Sequence, residues 1–151
     1  MRLFRMMTVL LCWCLFTLQT VANITNDKPI TFEDLPMTAQ HFIQENFSHI
    51  TVTRASYNTQ MSNRFYEVNL SDNTCLKFDE MGQWTTIECQ DTTIPDSMIP
   101  EQIGNQVDEI FPGAQIRKIE KSENLYKVTL LSRDVLVFDS HYNLLNEDYV
   151  F

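Results

Sequence analysis

The chain carries the same two-strand phrase twice. "YEVNLSDNTCLKFDEMGQW", Tyr66 to Trp84, returns sixty residues later as "YKVTLLSRDVLVFDSHYNL", Tyr126 to Leu144. Without a gap, Tyr66, Val68, Leu70, Leu76, Phe78 and Asp79 meet Tyr126, Val128, Leu130, Leu136, Phe138 and Asp139. Apolar residues at alternate positions mark strands with one buried face. A duplicated strand pair demands a fold built from two like units. The duplication extends upstream. Leu35-Pro36 matches Ile99-Pro100 at an offset of 64, and Ala39, Ile43 and Phe47 then match Ile103, Val107 and Phe111. These last positions share one face of a helix, and proline suits its first turn. Because the offset falls from 64 in the helices to 60 in the strands, the first unit holds four extra residues, expected in its first hairpin loop, "SYNTQMSN".

Each unit therefore reads α-β-β-β-β. Strands are expected near 51–57, 64–70, 74–79 and 83–89, and again near 115–121, 125–131, 134–139 and 143–148. Short connections impose antiparallel pairing, since parallel strands need a long crossover. The expected class is α+β: two tandem α-β-β-β-β repeats, with helices packed on one face of an antiparallel sheet of up to eight strands.

The N-terminus reads as a targeting segment. Arg2 and Arg5 precede the apolar run "MMTVLLCWCLF", and Thr20-Val21-Ala22 offers small residues for cleavage. The organisation expected is a signal peptide at 1–22, a polar linker at 23–32, and one domain at 33–151 whose repeats span about 33–90 and 96–148. Without Arg2 and Arg5, nine Lys and Arg face twenty Asp and Glu, a formal charge of −11. So acidic a surface repels nucleic acid and anionic lipid.

Two cysteines, Cys75 and Cys89, follow the expected cleavage point. With Glu80-Met81-Gly82 as a three-residue turn, Phe78 faces Trp84, Leu76 faces Thr86 and Cys75 faces Ile87. Cys75 and Cys89 would then be diagonal neighbours roughly 7–8 Å apart, whereas bridged Cα atoms usually lie within about 6.8 Å. A bulge would close that gap. An exported pair leaves a Cys75–Cys89 disulfide and two unbridged thiols both open.

The order of these features resembles a known family. A signal peptide, two copies of Leu/Ile-Pro before a helix ending in Phe, Tyr-x-Val-x-Leu and Leu-x-Phe-Asp are similar to the exported PepSY-like proteins of gut-dwelling Gram-negative bacteria, which share the fold of the beta-lactamase-inhibitor protein. The resemblance spans about Phe32 to Glu147. It implies a tandem repeat with helices on one side of a curved antiparallel sheet, placement in the periplasm or cell envelope, and no established catalytic activity. Two departures stand out. The hairpins before Leu-x-Phe-Asp lack glycine, and the second copy has Tyr142 where the first has Gly82, which would pass the left-handed position to Asn143.

Catalytic chemistry is hard to place. His41, His49 and His141 are the only histidines, and no zinc, nucleophile-elbow or phosphate-loop pattern is present. Cys75 with His141 has nothing local to orient it. The acidic stretches around Asp72, Asp79 and Glu147 lack the ligand spacing of a calcium loop. No catalytic residue, metal or cofactor is expected.

The sheet face away from the helices is more informative. It is expected to carry Tyr57, Phe65, Glu67, Asn69, Cys75, Lys77, Thr85 and Ile87 from the first copy. Leu125, Lys127, Thr129, Leu131, Val135, Val137 and Leu145 would come from the second. An open face is usually polar, so the aliphatic residues of the second copy mark either an interface or a surface covered by the C-terminal "DYVF". The candidate binding face is Tyr57, Phe65, Lys77, Leu125, Lys127, Val135 and Val137. The leading expectation is an exported, non-enzymatic module that binds a protein or peptide, or itself, there. The alternative is a sensor or carrier for a small molecule or cation.

Overall fold

The structure, a computed structural model, describes residues 27–60 and 63–148. The expected signal peptide lies outside the described residues. In chain order the elements are β1 (Lys28–Ile30), α1 (Met37–Asn46), β2 (Val52–Gln60), β3 (Asn63–Leu70), β4 (Thr74–Asp79) and β5 (Trp84–Cys89). Then come α2 (Glu101–Ile110), β6 (Ile116–Lys121), β7 (Leu125–Leu130), β8 (Val135–Asp139) and β9 (Leu144–Asp148). All nine strands form one antiparallel sheet in the order of the chain. The repeat strands are where the alternation places them. The ninth, β1, falls within the segment expected to be a linker, where Ile30 pairs with Ala55 at the sheet edge.

Both helices begin in the same way. A single 3₁₀ turn precedes each, and Pro36 and Pro100 stand at the two N-caps. A proline there has no N–H to leave unpaired. Ala39 and Ile43 from α1, and Ile103 and Val107 from α2, are buried, as are Val68, Leu70, Leu76, Phe78, Val128, Leu130, Leu136 and Phe138 from the sheet. These side chains belong to one continuous core, with Phe42 edge-on to Phe78 at 5.8 Å between ring centroids.

Four bulges interrupt the ladder, and they recur between the repeats. Thr53 and Arg117 are the extra residues in β2 and β6, and Thr85 and Leu145 in β5 and β9. A bulge shifts which residues share a face. Beyond Thr85 the pairs are therefore Leu76 with Ile87 and Cys75 with Glu88, not Leu76 with Thr86 and Cys75 with Ile87. Ile87 turns into the core, where it is fully buried.

The four extra residues of the first repeat do not make a loop. They lengthen the β2–β3 ladder, which runs on through Asn58–Phe65, Thr59–Arg64 and Gln60–Asn63. Backbone pairing leaves fewer polar groups unpartnered than an open loop of the same length.

The duplicated Phe-Asp has a clear role in the hairpins that follow. Asp79 Oδ1 accepts from the Met81 and Gln83 N–H groups, and Asp139 Oδ1 accepts from those of His141 and Asn143. The left-handed residues of these turns are Gly82 (φ 78°) and Tyr142 (φ 64°). Asn143 does not take over the position. Instead the Tyr142 ring packs on Tyr126 at 5.2 Å, and its carbonyl accepts from Gln106 Nε2 of α2 at 2.6 Å. Those contacts hold a side chain in a region that costs about 1–2 kcal/mol outside glycine.

Gly82 is needed for a second reason. A Cβ there would lie 2.8 Å from the Pro36 Cβ and 2.9 Å from the Ala39 nitrogen, because the turn packs on the start of α1. Gly82→Ala is expected to destabilise the protein by about 2–4 kcal/mol, from overpacking joined to the left-handed φ. A urea titration showing a loss below about 0.5 kcal/mol would contradict this contact. Hydrogen bonds from the Asn143 side chain and from backbone N–H groups hold the Asp139 carboxyl below its usual value of 3.8. A depressed folded-state value adds stability above the unfolded pKa, lost as pH falls through the folded one. Asp139→Ala is thus expected to lower the melting temperature at pH 7, the deficit narrowing below pH 4 in pH-dependent melts.

Candidate functional site

The register arranges the helix-free face into cross-strand rows. One row runs Ser56, Glu67, Lys77, Thr86, Glu120, Lys127, Val137. The row on one side of it runs Arg54, Asn69, Cys75, Glu88, Lys118, Thr129, Val135. On the other side lie Asn58, Phe65 and Asp79 at one end and Leu125 and Asp139 at the other.

The middle of this face is charged. Lys77 Nζ is 3.4 Å from a Glu67 oxygen. Glu88 pairs with Arg117 and Lys118 at 3.6 Å each, and Lys118 with Glu120 at 3.0 Å. Opposite charges facing each other across neighbouring strands favour this register. Apolar groups sit toward both flanks. Phe65 is half-buried with Lys77 Nζ 5.5 Å from its ring centroid. On the far flank Leu125 is 41% exposed and Leu145 is 57% exposed, with Val135 and Val137 half-buried beside them.

Two adjoining hollows cross the face. One, of about 750 Å³, is lined by Arg64, Phe65, Lys77, Asp79, Met81 and neighbouring residues. The other, of about 420 Å³, is lined by Lys121, Ser122, Leu125, Lys127 and Val137. Both share Thr85, Thr86 and Glu120 as a common wall. Five of the seven residues expected on the binding face, Phe65, Lys77, Leu125, Lys127 and Val137, line this trough. Val135 lies on the same face, one row away.

Tyr57 does not. It is the register partner of Tyr66, with ring centroids 5.2 Å apart, on the helix side of the sheet. The polar residues Ser56 and Asn58 occupy the open side instead and are buried there. Asn58 Nδ2 donates to Asp27, which also pairs with Arg54 at 3.8 Å. Ile87 is displaced likewise, by the bulge. Thr86 and Glu120 were missed as trough residues. Glu120 lies opposite Thr86 on the strand that joins the repeats, a pairing that no hairpin in the sequence announces.

The same bulge separates the cysteines. Cys89 pairs with Thr74, and the Thr74 hydroxyl lies 3.6 Å from its sulfur inside the core. Cys75 is the next residue along and points to the other face. Both are free thiols. The expected diagonal arrangement does not arise, and the bulge that could have closed its gap instead turns the two side chains to opposite faces. Burial, with the nearby Glu67 carboxylate, pushes the Cys75 thiol up to about 11. That keeps it protonated at neutral pH, where a thiol is a poor nucleophile. His141 lies in the β8–β9 turn, four strands from Cys75 and beyond the opposite end of β8, and its Nδ1 is 3.5 Å from Ser140 Oγ. His41, within α1, and His49, just after it, are exposed. Among the described residues no three Asp, Glu, His or Cys side chains converge as a metal centre.

The C-terminal segment does not fold back over the trough as far as Asp148, because β9 lies beside β8 within the sheet. The last three residues of the expected cover, 149–151, lie outside the described residues.

Known proteins fall in line with this architecture. A family model described as "Putative beta-lactamase-inhibitor-like, PepSY-like" matches residues 22–79 and 64–146. Among solved structures, a "putative calcium-regulated periplasmic protein" from Bacteroides thetaiotaomicron is 34% identical, with a TM-score of 0.79 over 82% of this chain and 98% of that one. A periplasmic protein from Bacteroides vulgatus is 32% identical, with a TM-score of 0.78 over 82% and 98%. A second from that organism, of unknown function, is 26% identical with a TM-score of 0.78 over 82% and 99%. No curated protein matches the chain. Export to the periplasm, as expected, agrees with these relatives, and no helix among the described residues is long and apolar enough to cross a membrane.

The thiols give a direct test. Unreduced mature protein is expected to keep the mass of two free cysteines. Alkylation of Cys75 is expected to be slow at pH 7 and to accelerate about tenfold per pH unit up to pH 10, following the thiolate fraction. A mass two hydrogens lighter, or a rate flat above pH 8, would contradict the assignment.

Proposed function

The chain belongs to the beta-lactamase-inhibitor-like, PepSY-like family, and on that footing we propose that it is a non-enzymatic binding module that docks a protein or peptide on its open sheet face. The observation that carries this reading is the double trough. It gathers an aromatic residue, exposed aliphatic residues and charges of both signs on one rigid sheet. Aromatic and aliphatic anchors in a hollow supply most of the energy of an interface, and charged neighbours set its specificity. Phe65, Met81, Leu125 and Val137 are the anchors; Lys77, Lys127 and Glu120 orient the partner. Met81 is 75% exposed at the rim, placed to be covered on docking.

The alternative, a sensor or carrier of a small molecule or cation, draws on the calcium regulation attributed to the Bacteroides thetaiotaomicron protein. The trough favours the first reading, because its flanks are apolar and two of its charged residues, Lys77 and Glu120, are already paired with Glu67 and Lys118.

Leu125→Glu tests the proposal. Its side chain is exposed, so the melting temperature should stay within about 2 °C of the parent. Capture of a periplasmic partner by the tagged mature protein should weaken about tenfold or more. Val128→Glu, which buries a charge in the core, should unfold the protein and serves as the contrast. Undiminished capture by Leu125→Glu, or unfolding of that variant, would overturn the proposal.

A further inference from the structure

The two repeats differ in the cleft beside their helices. In the first repeat the cleft is filled. Phe32 packs against the core, and Gln40 of α1 reaches back, its Nε2 donating to the carbonyls of Glu33 at 3.2 Å and Leu35 at 2.8 Å. At the offset of 64, the second repeat has Asp96 for Phe32 and Gly104 for Gln40. The filling side chains are gone. Beside α2 lies a cleft of about 690 Å³, floored by Ile94, Ile99, Val107 and Ile116. That volume falls within the roughly 300–1,000 Å³ of ligand pockets.

Three features say what would fit. The carbonyls equivalent to those that Gln40 satisfies belong to Ser97 and Ile99. Among the described residues neither receives a side-chain hydrogen bond. Asp96, Glu101 and Asp108 stand around the cleft, and no Lys or Arg lines it. Asp108 is held in place, its Oδ1 accepting from the Gly113 N–H at 3.0 Å. A Cβ at Gly104 would meet only the Ile99 Cγ2, at 3.9 Å, so nothing in the packing there requires glycine.

We infer that the cleft beside α2 is a second binding site, for a basic peptide segment whose Arg or Lys side chain takes the place that Gln40 holds in the first repeat. Its stem lies on the Ile99 and Val107 floor. Its N–H groups donate to the Ser97 and Ile99 carbonyls, and its charge is matched by the three carboxylates. This site lies on the helix side of the sheet and does not depend on the trough of the open face.

The test uses the mature protein labelled with ¹⁵N and the peptide acetyl-Ala-Arg-Ala-amide. Amide shifts confined to Gly104, Asn105, Asp108 and the non-proline residues of 93–97 are expected, weakening as salt is added. Gly104→Gln should rebuild the filled cleft, keep or raise the melting temperature because a helical glycine is removed, and weaken the peptide about tenfold or more. Leu125→Glu should leave these shifts unchanged, which separates this site from the open face. The inference is overturned if Gly104→Gln binds as the parent does. It is also overturned if acetyl-Ala-Glu-Ala-amide shifts the same amides, if spermidine binds and the peptide does not, or if no shift appears by about 10 mM peptide, the weak end of the affinity scale.

Discussion

Burial of one sheet face under two short helices is the interaction on which everything else rests. Leu76, Phe78 and Ile87 in the first repeat, with Ile119, Leu136 and Phe138 in the second, are fully buried. Each large side chain of this kind contributes about 1.5–3 kcal/mol when buried. The surface ion pairs of the opposite face are worth about 0–1 kcal/mol each. The helix side therefore sets the register, and the open side accepts whatever residues that register leaves over. The open face is free to vary between the repeats without cost to the fold, and it has varied: Cys75 against Val135, Lys77 against Val137, Phe65 against Leu125.

The bulges turn this constraint into a more specific architecture. Thr85 and Leu145 let the strand after each turn bring both Trp84 or Leu144 and the residues beyond into register with the core strand. In the first repeat this draws Ile87 and Cys89 inside, and sends Thr86 and Glu88 to the open face. The ion pairs of Glu88 with Arg117 and Lys118 then tie the first repeat to the second across β5 and β6. Arg117 is itself a bulge residue, so the β5 and β6 bulges flank opposite ends of the ladder that joins the repeats.

Much of the fold was legible in the letters, because one-sided burial repeats every second residue in a strand and every three to four in a helix. The helix faces, the eight repeat strands and the turn role of Gly82 follow from that pattern. The open face was legible only in part. Phe65, Lys77, Leu125, Lys127, Val135 and Val137 lie there as expected, since each neighbours a core residue within an uninterrupted strand. Tyr57 and Ile87 do not. Ala55, Ser56, Tyr57 and Asn58 carry no clean alternation, so either face could have been chosen for Tyr57. A bulge leaves no mark in a stretch such as "WTTIEC", where small polar residues fit both sides of a sheet.

The sequence by itself determined that there are two like units, each a helix and four antiparallel strands, because the period of the hydrophobic pattern is a local property. It determined the two prolines that start the helices, since a first-turn proline is likewise a local signal, whereas the hairpin-closing role of Asp79 and Asp139 came with the structure. Tertiary structure alone decided that Cys75 and Cys89 face apart, that the edge strand β1 joins the sheet, and that Thr86 and Glu120 form the wall shared by two hollows. It also decided that the cleft beside α2 stands open while its counterpart beside α1 is filled. Each of these depends on a single-residue shift of register or on contacts between segments far apart in the chain. Neither leaves a periodic trace that local reading can detect.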